Sequence, residues 1–94
     1  MKLYGGIDLH SNNSYIVLMD RGGIVVERSR VANEIGLVLR TLAPYREQIE
    51  SLVVESTYNW YWLVDGLKGA GYSVKLANPN AMQQYQGLKY SDDK

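Results

Sequence analysis

The chain has 94 residues, enough for one small domain (1–94), and its 46% hydrophobic and 21% charged content is ordinary for a globular protein. It has no cysteine, which excludes disulfide frameworks and thiolate metal sites and fits a reducing cytoplasm. Ten basic and ten acidic residues cancel, so the basic excess of a stand-alone nucleic-acid binder is missing.

No apolar run approaches the ~20 residues that cross a bilayer. The stretch from Met1 to Gly6 meets Asp8 too soon for a signal peptide. No membrane partner is expected.

Residues 2–9 read as a strand, with Gly5-Gly6 marking a close backbone approach or a bulge. A loop of turn formers, His10 to Asn13, leads into Tyr15-Ile16-Val17-Leu18-Met19, an unbroken apolar run that suits a central strand covered on both faces. Asp20-Arg21-Gly22-Gly23 is a hairpin turn, and residues 24–28 return as a third strand. Tight connections make these three strands antiparallel neighbours. Arg21, Arg28 and Arg30 gather around this hairpin, a pattern that most simply describes a solvated strand.

Asn33 suits the N-cap of a helix whose buried stripe is Ile35, Val38, Leu39 and Leu42, with Pro44 ending or restarting it. Residues 51–55 form a short strand rich in β-branched residues. Ser56 or Thr57 can cap a second helix with the stripe Trp60, Leu63, Val64 and Leu67, ending near Gly69 and Gly71; Trp62 is expected on another side. Residues 72–76 give a fifth strand, and Asn78-Pro79 starts a third helix through about Tyr85. The order β-β-β-α-β-α-β-α predicts an α/β mixed sheet of five strands, three antiparallel and then two parallel βα units, with helices on its faces. That is the order of the RNase H-like fold, which the actin-like ATPases share.

The acids at strand ends are the most informative residues. Asp8 lies between Ile7 and Leu9 and points to the opposite face from them; Glu55 closes the fourth strand after Leu52-Val53-Val54. Each alone has a simple structural reading: Asp8 can cap the following loop, and Glu55 can favour the next helix dipole. Together, in this strand order, they fall at neighbouring carboxyl ends, where open α/β sheets hold ligands. Close carboxylates repel unless a cation neutralises them. Mg²⁺ or Mn²⁺ is the natural partner of an all-oxygen cluster. Asp92-Asp93 supplies candidates for a third acid. His10 is read as a loop residue within possible reach of metal or phosphate.

Gly6-Ile7-Asp8, Val53-Val54-Glu55-Ser56-Thr57, Ala70-Gly71-Tyr72-Ser73-Val74, Ala77-Asn78-Pro79 and Ser91-Asp92-Asp93-Lys94 form an ordered set. This set resembles the insertion-sequence transposases with a DEDD motif, whose N-terminal domain is similar to the RuvC resolvases. The resemblance implies an RNase H-like catalytic domain using Mg²⁺ or Mn²⁺ to cleave and transfer DNA strands. Its acids would be Asp8, Glu55 and Asp93, with Asp92 as the other register; the fourth acid, three residues on, would lie past Lys94. It further implies a C-terminal domain with a serine nucleophile, and guide-RNA binding in at least some members. On this reading the 94 residues are an incomplete catalytic domain, inactive alone. Tyr58-Asn59-Trp60-Tyr61-Trp62 departs from the family, many of whose members place a glycine there.

Two other readings compete. An actin-like ATPase or sugar-kinase lobe also opens with Gly-Ile-Asp, but wants a glycine where His10 stands. A non-catalytic module would self-associate through apolar surface left uncovered, and a homo-oligomer is expected.

Overall fold

In the computed structural model, which describes residues 1–56 and 59–77, the hairpin over residues 13–32 is fixed by its turn. Asp20 uses backbone and side chain together: its carbonyl accepts from Gly23 N–H (3.0 Å), and its Oδ1 accepts from Ile24 N–H (2.9 Å). Gly23 takes φ +90°, a conformation open to glycine at no steric cost. Around this turn run β2 (Asn13–Asp20) and β3 (Val25–Ala32), each longer than the apolar pattern alone suggests.

The hairpin joins β1 (Leu3–Leu9), then β4 (Ile49–Glu55) and β5 (Val74–Ala77), in the spatial order β3-β2-β1-β4-β5. β1 pairs antiparallel with β2 and parallel with β4, which pairs parallel with β5. The mixed five-stranded α/β sheet read from the sequence is therefore the sheet observed. β1 is its middle strand. Among the described residues β2 is not doubly covered: Ser14, Ile16 and Leu18 are buried while Tyr15, Val17 and Met19 face the other side, which these residues leave open. Its apolar run was longer than burial needs.

Among the described residues two helices pack on the buried side. α1 (Ile35–Leu42) contributes Val38 and Leu42, and α2 (Tyr61–Gly69) contributes Leu63, Val64 and Leu67, to one core with Ile7, Leu9, Ile16, Leu18, Leu52 and Val54. A short 3₁₀ turn, Ala43–Tyr45, carries Pro44 near its start. α2 stops in a Schellman motif: Gly71, at φ +96°, bonds the Lys68 carbonyl, and Tyr72 N–H bonds that of Leu67. α1 and α2 meet where Gly66 lies under Ile35, whose side chain would collide with any Cβ there.

Three local expectations are corrected. Asn33 does not cap α1; Glu34 holds that position with no side-chain bond, because the Asn33 amide is engaged elsewhere. Ser56 does not cap α2 either, since the helix begins only after Trp60, and Ser56 is itself buried. Trp62 is not turned away: both tryptophans are partly buried against the core. The third helix proposed from Asn78 lies outside the described residues. No helix among the described residues is long and apolar enough to cross a membrane.

Candidate functional site

Asp8 and Glu55 are direct register partners in the parallel β1–β4 pair, at the carboxyl ends of both strands. Adjacent strands lie about 4.8 Å apart, so the two carboxylates rise side by side. Alternation places them on the open face, because Ile7, Leu9 and Val54 take the buried one. A shallow depression of ≈ 320 Å³ runs beneath them, lined by Gly6, Tyr15, Val17, Val53 and Ala77. The Gly5-Gly6 pair read from the sequence thus splits by face. Leucines 18 and 52 press onto Gly5 from the core, with methyls 2.6 and 2.5 Å from where a Cβ would sit, whereas a Cβ on Gly6 would meet nothing within 4 Å. No bulge occurs at either.

His10 follows β1 and turns back on Asp8, with Nε2 3.2 Å from Oδ2; the two side chains are 58% and 49% exposed. Asn33 holds this loop. Its Oδ1 accepts from the Oγ of buried Ser14, and its Nδ2 donates to the His10 carbonyl, both at 2.7 Å. The His10 N–H in turn bonds the Asn13 carbonyl at 2.9 Å. A second cleft, of ≈ 260 Å³, lies between this loop and Trp62.

Two partly exposed carboxylates on neighbouring strand ends are the oxygen donors that suit a hard divalent cation such as Mg²⁺, which one or two carboxylates hold while water and phosphate oxygens fill the remainder. Among the described residues no set of three His, Asp or Glu side chains converges as metal ligands. Asp93 and Asp92, the third acid in either register, lie outside the described residues.

The arginines of the hairpin also sort by face. Arg28 is paired with Val17 and Arg30 with Tyr15, so both lie on the open side. Arg28 donates to the Tyr15 hydroxyl (3.4 Å), and the Arg30 guanidinium stands 5.8 Å from the Tyr15 ring centre. Arg21 stays at the turn, where a hydrogen bond to Tyr4 and the nearby Glu50 raise its pKa further. Sequence reasoning grouped these three as one solvated cluster. The signal that separates them is the period-2 spacing of Arg28 and Arg30 with Tyr15 and Val17, readable only once the hairpin register is known.

No protein-family model matches the sequence, and no curated protein matches it. Solved structures do. The ethanolamine utilization protein EutJ from Carboxydothermus hydrogenoformans aligns at TM-score 0.58 and 15% identity, covering 83% of this chain and 37% of that one. The Marinitoga piezophila Argonaute, solved with a 5′ OH guide RNA, aligns at TM-score 0.50 and 13% identity over 82% of this chain and 16% of that one. This chain therefore spans well under half the length of either. At such identities the likeness defines the fold alone: an RNase H-like mixed sheet, the class shared with the actin-like ATPases.

Proposed function

We propose that this chain is the N-terminal catalytic part of a DNA transposase of the DEDD kind, acting on phosphodiester bonds with Mg²⁺ or Mn²⁺. The observation that carries the reading is the register pairing of Asp8 with Glu55 on the open face, at the carboxyl ends of adjacent parallel strands. The ordered motifs support this family reading, and the sheet order is compatible with it.

Asp8 and Glu55 would hold the cation, with Asp93 as the third carboxylate. When bound, such an ion supplies Lewis-acid activation of a nucleophile and stabilises the leaving oxygen. The chain's own part is to keep two oxygen donors fixed on a rigid sheet. His10 restrains the Asp8 carboxylate, and the loop bearing it is latched by Asn33. The bare backbone at Gly6 lets a substrate approach without a side chain in the way. DNA is the proposed substrate, and a guide RNA a proposed partner of the full-length protein.

Asp8→Ala and Glu55→Ala in the full-length protein should each abolish transposition with an unchanged far-UV spectrum. In the 94-residue chain each should weaken Mn²⁺ binding at least ~tenfold, followed by electron paramagnetic resonance. Wild-type transposition by either variant would sink the reading.

An actin-like ATPase lobe is the second reading, since the fold class includes one. Against it stands His10, where a phosphate-wrapping loop wants glycine; its imidazole lies on Asp8. Micromolar ATP binding by this chain would favour the ATPase.

A further inference from the structure

The register of the sheet places charges on the open face in a pattern that the acid pair does not explain. One cross-strand row runs Ala77, Glu55, Asp8, Tyr15, Arg30, and the next runs Lys75, Val53, Gly6, Val17, Arg28. Cations therefore occupy both edges, while the centre carries the two acids and a shallow apolar floor. Arg30 shares a row with Asp8 and lies two strands away, about 10 Å at ordinary strand spacing. Among the described residues neither Arg28 nor Arg30 pairs with a carboxylate; both turn to Tyr15 instead. Arg21, by contrast, has Glu50 nearby.

An arginine with no acid partner is available to an incoming anion, and its planar fork suits phosphate oxygens. Two guanidiniums steadied by one tyrosine lose less freedom on binding than two free side chains would. Zero net charge over the chain argues against diffuse attraction to polyanions, so any such binding has to be local.

We propose that the open sheet face is the bed of a single nucleic-acid strand, whose phosphates are gripped at the β3 edge by Arg28 and Arg30 and whose backbone crosses the Gly6 floor to Asp8 and Glu55. This rests on the nuclease-type reading of the acid pair for its direction, but the grip itself needs no metal. The contacts are to phosphate, so the surface positions the strand and carries no base preference. Val17 and Val53, flanking Gly6, form the apolar walls of the track.

The test uses a fluorescently labelled single-stranded oligodeoxynucleotide of mixed sequence, with anisotropy read in EDTA over a range of salt concentrations. Replacing both arginines (Arg28→Ala with Arg30→Ala) should weaken binding at low salt at least ~tenfold. The slope of log K against log salt should become shallower by ~1.4, the value for two lost phosphate contacts on a single strand. The double lysine variant (Arg28→Lys with Arg30→Lys) should keep most of that slope. Both residues are exposed, so the fold is not at stake. A wild-type chain that does not bind, or a double alanine variant with unchanged affinity and slope, overturns the proposal. So does a wild-type dimer built on this face that the oligonucleotide cannot dissociate. Mn²⁺ affinity measured on the same proteins separates the two readings. If the wild type fails to take Mn²⁺ yet the arginines still govern oligonucleotide binding, the metal site falls and the nucleic-acid track stands.

Discussion

The two faces of this sheet are made from the same five strands and have opposite characters. On the helix side, Leu3, Ile7, Ile16, Leu18, Leu52 and Val54 are closed from solvent, and α1 and α2 lock over most of them. On the other side the same strands present Asp8, Glu55, Tyr15, Arg28 and Arg30, with Val53 40% and Met19 37% exposed. The closed core belongs to one face and the strand-end acids with Arg28 and Arg30 to the other, because side chains one residue apart answer to different demands. Neighbouring residues therefore make the sharpest comparisons.

Leu52 and Val53 show the largest expected difference. Leu52→Ala leaves a cavity in a closed core and should cost about 2–5 kcal/mol in urea unfolding. Val53→Ala, one position along, should stay within about 0.5 kcal/mol. Equal losses at both positions would mean that the open face is also packed.

Gly5 and Gly6 repeat the comparison at smaller scale. Ala at position 5 drives its Cβ against buried Leu18 and Leu52, so Gly5→Ala should lose about 1–3 kcal/mol by overpacking. Gly6→Ala meets nothing and removes chain entropy from the unfolded state, so it should gain about 0.5–1 kcal/mol. Paired melting curves check both signs.

The smallest effect concerns Glu27, on the helix side of β3. Hydrogen bonds from Ser29 and then from Tyr45 (2.8 Å) hold its carboxyl below the usual value. Such a group stabilises the fold above its unfolded pKa, about 4.3, and that contribution is lost as pH falls through the lower folded value. Tyr45→Phe removes the second donor, so stability should fall slightly at neutral pH and decline less steeply below about pH 4. Acid titrations of both proteins, followed by circular dichroism, check this.

Much of the covered face was legible in the sequence. The stripe Val38 and Leu42 in α1, the stripe Leu63, Val64 and Leu67 in α2, and the alternation around Ile7 all declare a buried side through their period alone. Asp8 and Glu55 were legible as strand-end acids, and their pairing followed from strand order. What could not be read was anything set by long-range register or by a side chain serving a distant element. Asn33 looked like a cap because its neighbourhood is that of a cap; its amide instead bridges Ser14 and the His10 carbonyl, 19 and 23 residues away. Ser56 looked like a cap for the same reason, and burial claimed it. Arg28 and Arg30 looked like ordinary solvated charge because no local pattern says which face of a hairpin they will share, or with whom.

That last point turns on a small irregularity in the β2–β3 ladder. Met19 faces Val25 but Leu18 faces Glu27, so Val26 is an extra residue on the returning strand. Were the turn's own register continued, Arg28 would oppose buried Ile16, and Glu27 would sit beside Val17. The bulge steps over one residue and hands the cations to solvent. It also makes the hairpin tolerant of length change at one place: a deletion at Val26 would restore a regular ladder and leave every later side chain of β3 on its present face, whereas a deletion further along would exchange the faces of the residues beyond it.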